Sequence, residues 1–119
     1  MLDGPHTFNV VYATGRFRDA NPLTMAAFVA ALDRAMAIIN GDPAAATQLY
    51  IAEEKSKLPA DLLESIIRAE DTVFTIEPQA TTKFAAFMAR TGSIKTAPQS
   101  WQDLFFPELH GQLRGRPGS

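Results

Sequence analysis

Between Thr7 and Ala13 the chain reads TFNVVYA, and this segment limits what the chain can fold into more than any other. Apart from Asn9, Phe8 to Ala13 is apolar and rich in β-branched and aromatic residues. Such a run suits a strand covered on both faces, as in a parallel sheet. A strand needs partners, and only one other run, Val73 to Ile76, has strand character. Two strands alone make a marginal sheet in water. The expectation is a helix-rich α/β chain belonging to a larger lobe. It would have one buried strand at Thr7 to Ala13, a short second strand at Val73 to Ile76, and four to five helices.

The helices are marked by their caps. Thr14-Gly15 breaks the first strand. Asn21-Pro22 then starts a helix, with Asn as N-cap and Pro at the first helical position. Met25, Phe28, Val29, Leu32, Met36 and Ile39 recur at intervals of one, three or four and predict one apolar stripe as far as Asn40. Asp42-Pro43 repeats the start signal at once. Pro59 opens a third helix, with Leu62, Leu63, Ile66 and Ile67 as its buried edge and Glu64–Arg68 as an i, i+4 pair. Pro78 starts a fourth, and Gly92 is placed to end it. Ser100 and Asp103 resemble a capping box before a short helix carrying Trp101, Leu104, Phe105 and Phe106, which Pro107 stops. Residues 111–119, GQLRGRPGS, have no periodicity and are expected to be a disordered tail.

The chain has 119 residues, the length of one small domain. Its formal charge is −2 and its basic residues are scattered, so no nucleic-acid partner is indicated. It has no Cys, which excludes disulfides, thiolate metal sites and a Cys nucleophile. No apolar run approaches membrane-spanning length in this reading, so no direct membrane insertion is expected. The N-terminus MLDGPHTF carries no basic region followed by an apolar one, and a signal peptide would have to lie upstream.

Chemistry is sparse. His6 and His110 stand near opposite ends and read as surface histidines rather than metal ligands. Ser65, Ser93 and Ser100 have no His near them in sequence, and no paired carboxylates suggest acid/base work. No enzyme activity, metal or cofactor is expected. Phe84, Phe87, Trp101, Phe105 and Phe106 read as core at helical spacing, or as a docking surface if the core is incomplete. The best ligand-binding candidates are Thr14, Gly15 and Arg16 at the carboxyl end of the strand, where open parallel sheets bind ligands. Thr14 offers a hydroxyl, Gly15 allows close backbone approach, and Arg16 could meet an oxyanion. The competing reading is a plain turn followed by a solvated Arg.

Five ordered stretches carry a family resemblance. They are GPHTFNVVYATGRFRDANP (Gly4 to Pro22), AAFVAALDRAMAIIN (Ala26 to Asn40), DPAAATQLY (Asp42 to Tyr50), FTIEPQATTKFAAFMARTGSIK (Phe74 to Lys95) and PQSWQDLFFPELH (Pro98 to His110). Together they resemble the C-terminal part of ABC importer substrate-binding proteins of the nitrate, sulfonate and taurine type, a group similar to thiamine-precursor binding proteins. The resemblance implies that residues 1–110 are the incomplete C-terminal part of a periplasmic-binding-protein type II lobe. It implies a periplasmic, non-catalytic receptor that closes on a small, anionic solute and delivers it to an ABC permease. The strand's neighbours would come from the missing N-terminal part of the receptor or from a second chain.

Two other readings stand beside it. One is a self-contained helical dimerisation or interaction domain, whose short strands pair across a two-fold axis. The other is an enzyme fragment related to pyrimidine-precursor synthesis, for which no catalytic His or cofactor Lys is found. An unpaired strand edge is an aggregation template. Val10→Lys is therefore expected to raise the solubility of the isolated chain, measured as the concentration left in the supernatant after ultracentrifugation. No gain would mean that the segment is already covered.

Overall fold

The architecture is that of a computed structural model, and it describes residues 4–110. Helix takes up 61% of these residues, and no strand occurs among them. The elements are α1 (Gly15–Ala20), α2 (Pro22–Gly41), α3 (Pro43–Glu54), α4 (Ala60–Arg68), α5 (Thr81–Arg90), a 3-10 turn at Trp101–Leu104, and α6 (Pro107–His110). The expected α/β lobe with a buried strand is therefore corrected to an all-helical arrangement. Thr7 to Ala13 is irregular, and Phe8, Val10, Val11 and Tyr12 are exposed. The physical reason lies in the shortage of partners that the sequence already signals, because strand geometry is held by ladder hydrogen bonds to a neighbour. Val73 to Ile76 is irregular too. Its Phe74 carbonyl accepts from the Asn40 side-chain amide at 2.9 Å. The tail expected at 111–119 lies outside the described residues.

The described chain falls into two compact units. The first runs to Val29 and resumes at Glu77; the second is Ala30–Ile76. In the first, Met25 of α2 and Ala85 of α5 are buried. In the second, α3 packs on α4, with Leu63 buried and Thr47 only 1% exposed. The Thr47 hydroxyl donates to the Pro43 carbonyl at 2.8 Å, which meets the requirement that a buried polar group be paired. Leu63 and Ile67 turn inward on α4, whereas Leu62 and Ile66 of its expected buried edge stay exposed. The Glu64–Arg68 pair forms at 2.7 Å.

Local signals mark several ends. Asp42 caps α3 by accepting from the Ala45 N–H at 3.0 Å. Gly92 follows α5 with φ +79°. The Gly92 N–H bonds to Ala89 and the Ser93 N–H to Met88, at 3.1 and 2.8 Å, the paired bonds of a Schellman ending. Other ends differ from expectation. Thr14-Gly15 does not simply break the chain: Thr14 is the N-cap of α1, its hydroxyl oxygen accepting from the Phe17 N–H at 3.0 Å. Asn21 does not turn its side chain to α2. It ends α1, and its amide donates back to the Phe17 carbonyl at 2.9 Å. Pro107 opens α6 rather than ending the stretch.

α2 is 20 residues long, and by length and composition alone it could cross a membrane, which corrects the reading that no apolar run approaches that length. Asp33 and Arg34 stand near its middle, where each would cost about 3 kcal/mol in hydrocarbon. Of its stripe, Met25 is buried and Val29, Leu32, Met36 and Ile39 are half-buried, while Phe28 is exposed.

Two glycine substitutions separate the backbone roles. Gly92→Ala places a side chain at a left-handed φ and is expected to destabilise by about 1 kcal/mol. Gly15→Ala meets open space at the first position of α1 and is expected to be neutral or slightly stabilising, by up to about 1 kcal/mol. Urea unfolding followed by circular dichroism measures both.

Candidate functional site

The segment from Phe8 to Ala13 is held at both ends and free in between. At its start the Thr7 N–H donates to the Gln79 carbonyl at 2.8 Å, and the Gln79 N–H donates to the Thr7 hydroxyl oxygen at 2.7 Å. At its end Thr14 caps α1. Among the described residues, no backbone hydrogen bond involves Phe8 to Ala13. The side chains are open to solvent as well: Phe8 is 88% and Tyr12 92% exposed. Exposed apolar residues are ordinary when single. Four in a run of five, beside further apolar surface, are not.

That further surface belongs to the same unit. A trough of about 670 Å³ is walled by Phe8, Val10, Val11 and Tyr12, by Phe84, Ala85 and Met88 of α5, and by Leu104, Phe105, Phe106 and Leu109. His6, Thr7, Gln79 and Thr81 supply its few polar edges. The aromatic residues expected in the core are thus only partly covered: Phe84 is 49% exposed, and Phe87, Trp101, Phe105 and Phe106 are half-buried. The trough has the chemistry of a contact surface. Among the described residues no group of three or more His, Asp or Glu could hold a metal.

One wall is fixed by an ion pair. Arg18 Nε lies 2.9 and 3.1 Å from the two carboxylate oxygens of Glu108. Its guanidinium sits 5.4 Å over the Phe106 ring, within cation–π range. Arg18 also pairs with Asp19 at 3.0 Å. Both Arg18 and Glu108 are partly shielded, at 28% and 24% side-chain exposure. The backbone amide at Glu108 does most to hold its carboxyl below the ordinary carboxylate range; desolvation opposes this, and Arg18 adds to it. Next to it, His110 Nε2 donates to the Phe105 and Gln102 carbonyls at 2.9 and 3.1 Å, and Trp101 meets its ring edge-on at 5.4 Å. His110, read from sequence as a surface histidine, is half-buried in this turn. The Asp103 carboxylate accepts from the Gln99 and Ser100 N–H groups at 2.9 and 3.1 Å, so the sequence signal at Ser100–Asp103 marks a real start, that of the 3-10 turn.

Thr14, Gly15 and Arg16 stand consecutively at the start of α1. Thr14 uses its hydroxyl oxygen as a cap, Gly15 has nothing near its missing Cβ, and Arg16 is exposed. None of the three lines the trough. The residue that sequence reasoning missed is Arg18. Its partner lies ninety positions away, and no local spacing announces such a pair.

No protein family, no curated protein and no solved structure matches this chain.

The lowered pKa of Glu108 fixes the sign of a pH effect. A depressed carboxylate stabilises the fold above its unfolded pKa, and that contribution is lost as pH falls through the folded value. The Arg18–Glu108 pair is therefore expected to hold through neutral pH and to open only on acidification below the usual Glu range. Carbon-detected NMR of the Glu108 carboxyl should show a midpoint below that of an ordinary Glu carboxyl. Arg18→Ala should move that midpoint upward.

Proposed function

We propose that this chain is a non-catalytic association module, whose open segment and apolar trough are covered by a further polypeptide surface. The observation that supports it best is the segment Phe8 to Ala13: apolar apart from Asn9, exposed as far as Tyr12, and without a backbone partner among the described residues, yet anchored at Thr7 and Thr14. Anchoring both ends lowers the ordering cost that a partner must offset on binding. The trough residues of α5 and of the turn before α6 extend the same apolar surface.

A second, more specific reading rests on the ordered sequence resemblance. In it the chain serves a solute-import receptor for a small, anionic solute, in the periplasm, and hands that solute to an ABC permease. The cover over Phe8 to Ala13 would then be the rest of the receptor. Arg16, exposed beside the Thr14 cap, is the cation this reading assigns to the solute.

Each reading has its own measurement. Native electrophoresis of cell extract, blotted with an antibody to Ser100–His110, is expected to show the wild-type chain well above 13.0 kDa. The Val10→Lys variant should fall back to the size of the chain alone, because a charge in the trough opposes burial. Wild type running at its own mass would remove the association reading. Calorimetry of the native assembly with taurine and nitrate tests the import reading. Binding should weaken at least tenfold in Arg16→Ala, since a charge-assisted hydrogen bond contributes about 1.5–3 kcal/mol. Absence of binding by wild type would overturn it.

A further inference from the structure

The backbone of the open segment restricts what can cover it. If Phe8, Val10, Val11 and Tyr12 are covered, the N–H and C=O groups along the covered edge are buried with them and must be paired. A lipid tail or the face of a helix has no row of donors and acceptors to offer. A polypeptide strand has one. Resting on the association reading above, we infer that the cover is the same segment of a second copy, paired antiparallel across a two-fold axis that passes between the two copies of Val10.

Three features of the segment support this. First, Phe8 to Ala13 contains no charged residue, so two copies approach without like-charge repulsion. Second, two copies of Phe8, Val10, Val11 and Tyr12 at their observed exposure offer on the order of 1,000 Å² of side-chain surface, about the least that a specific interface buries. Third, symmetry selects the register. A two-fold axis normal to a ribbon keeps every residue on its own face, so opposed residue numbers must have an even sum. A sum of twenty uses the whole of Thr7 to Ala13. It sets Phe8 against Tyr12 twice, with Val10 against Val10 between them, and cross-strand aromatic pairs of this kind stabilise ribbons.

The Thr7–Gln79 bond fixes which edge is open. Once the irregular segment is drawn straight against a partner, its N–H groups alternate between two edges, and the bond from Thr7 to Gln79 then assigns Thr7, Asn9 and Val11 to one edge. The other edge carries the N–H groups of Phe8, Val10 and Tyr12. Pairing along it makes Val10 a hydrogen-bonded pair with itself, with Cα atoms about 5.5 Å apart. That distance suits a disulfide.

The test uses the absence of native cysteine. Wild-type chain is measured by sedimentation equilibrium and by amide hydrogen exchange at Phe8, Val10 and Tyr12. Val10→Cys, Asn9→Cys and Val11→Cys are then oxidised with diamide and run on non-reducing gels. The expected result is a mass of twice 13.0 kDa, Phe8, Val10 and Tyr12 amides slowed at least a hundredfold relative to the free peptide, and a covalent dimer that forms fastest from Val10→Cys. A dimer that cross-links faster through Asn9→Cys or Val11→Cys overturns the register and with it the inference. A monomer whose Phe8, Val10 and Tyr12 amides exchange freely overturns the second copy as occupant and leaves the association reading standing. A monomer with those amides protected overturns both, since the chain then covers its own segment.

Discussion

Removing apolar surface from water is the main favourable contribution to folding, and its shortage governs this structure. Among the described residues the buried apolar side chains are Met25, Leu63 and Ala85, while sixteen large apolar side chains are exposed. A helix gains most of its stability in a protein by packing one face. Here the helices are therefore defined to an unusual degree by their ends: Thr14 for α1, Asp42 for α3, the Gly92 turn for α5. The open segment follows from the same shortage, since the described residues lay no apolar layer over it.

The parts that could be read from sequence are those set by neighbours in the chain. Asp42-Pro43, Gly92 and Ser100–Asp103 act within four residues, and each marks the start or stop that its local chemistry demands. Glu64–Arg68 is likewise a matter of one helical turn. Thr7 to Ala13 failed as a strand because strand-forming character is a preference for a covered, paired surface, and no pairing strand is present among the described residues. Thr14 carried a legible cap signal that was masked by Gly15, which reads more naturally as a turn than as the first residue of a helix. Arg18–Glu108 was not legible at all, for nothing in either neighbourhood refers to the other.

The candidate site shows the same division. The apolar character of the trough was visible in Phe84, Phe105 and Phe106, where core and docking surface could not be told apart by spacing. What decides between them is the amount of chain available to cover those rings, a property of the tertiary structure. The ligand candidates Thr14, Gly15 and Arg16 do come together, as three consecutive residues must. They come together at a helix start beside the trough's open segment rather than at the mouth of a sheet, which takes away the geometric argument that first singled them out.

Thr14 has one further consequence. It is at once the last fixed point of the open segment and the cap of α1, a helix of only 6 residues. Arg18, four residues on, is the group that grips Glu108. Tension or order imposed on the segment thus reaches α1 through Thr14, as it reaches Gln79 through Thr7. Through Arg18 it reaches the turn that carries Phe106. Two sites joined in this way exchange influence equally in both directions. Whatever steadies the segment steadies the grip on Glu108, and whatever loosens that grip leaves the segment less ready for a partner.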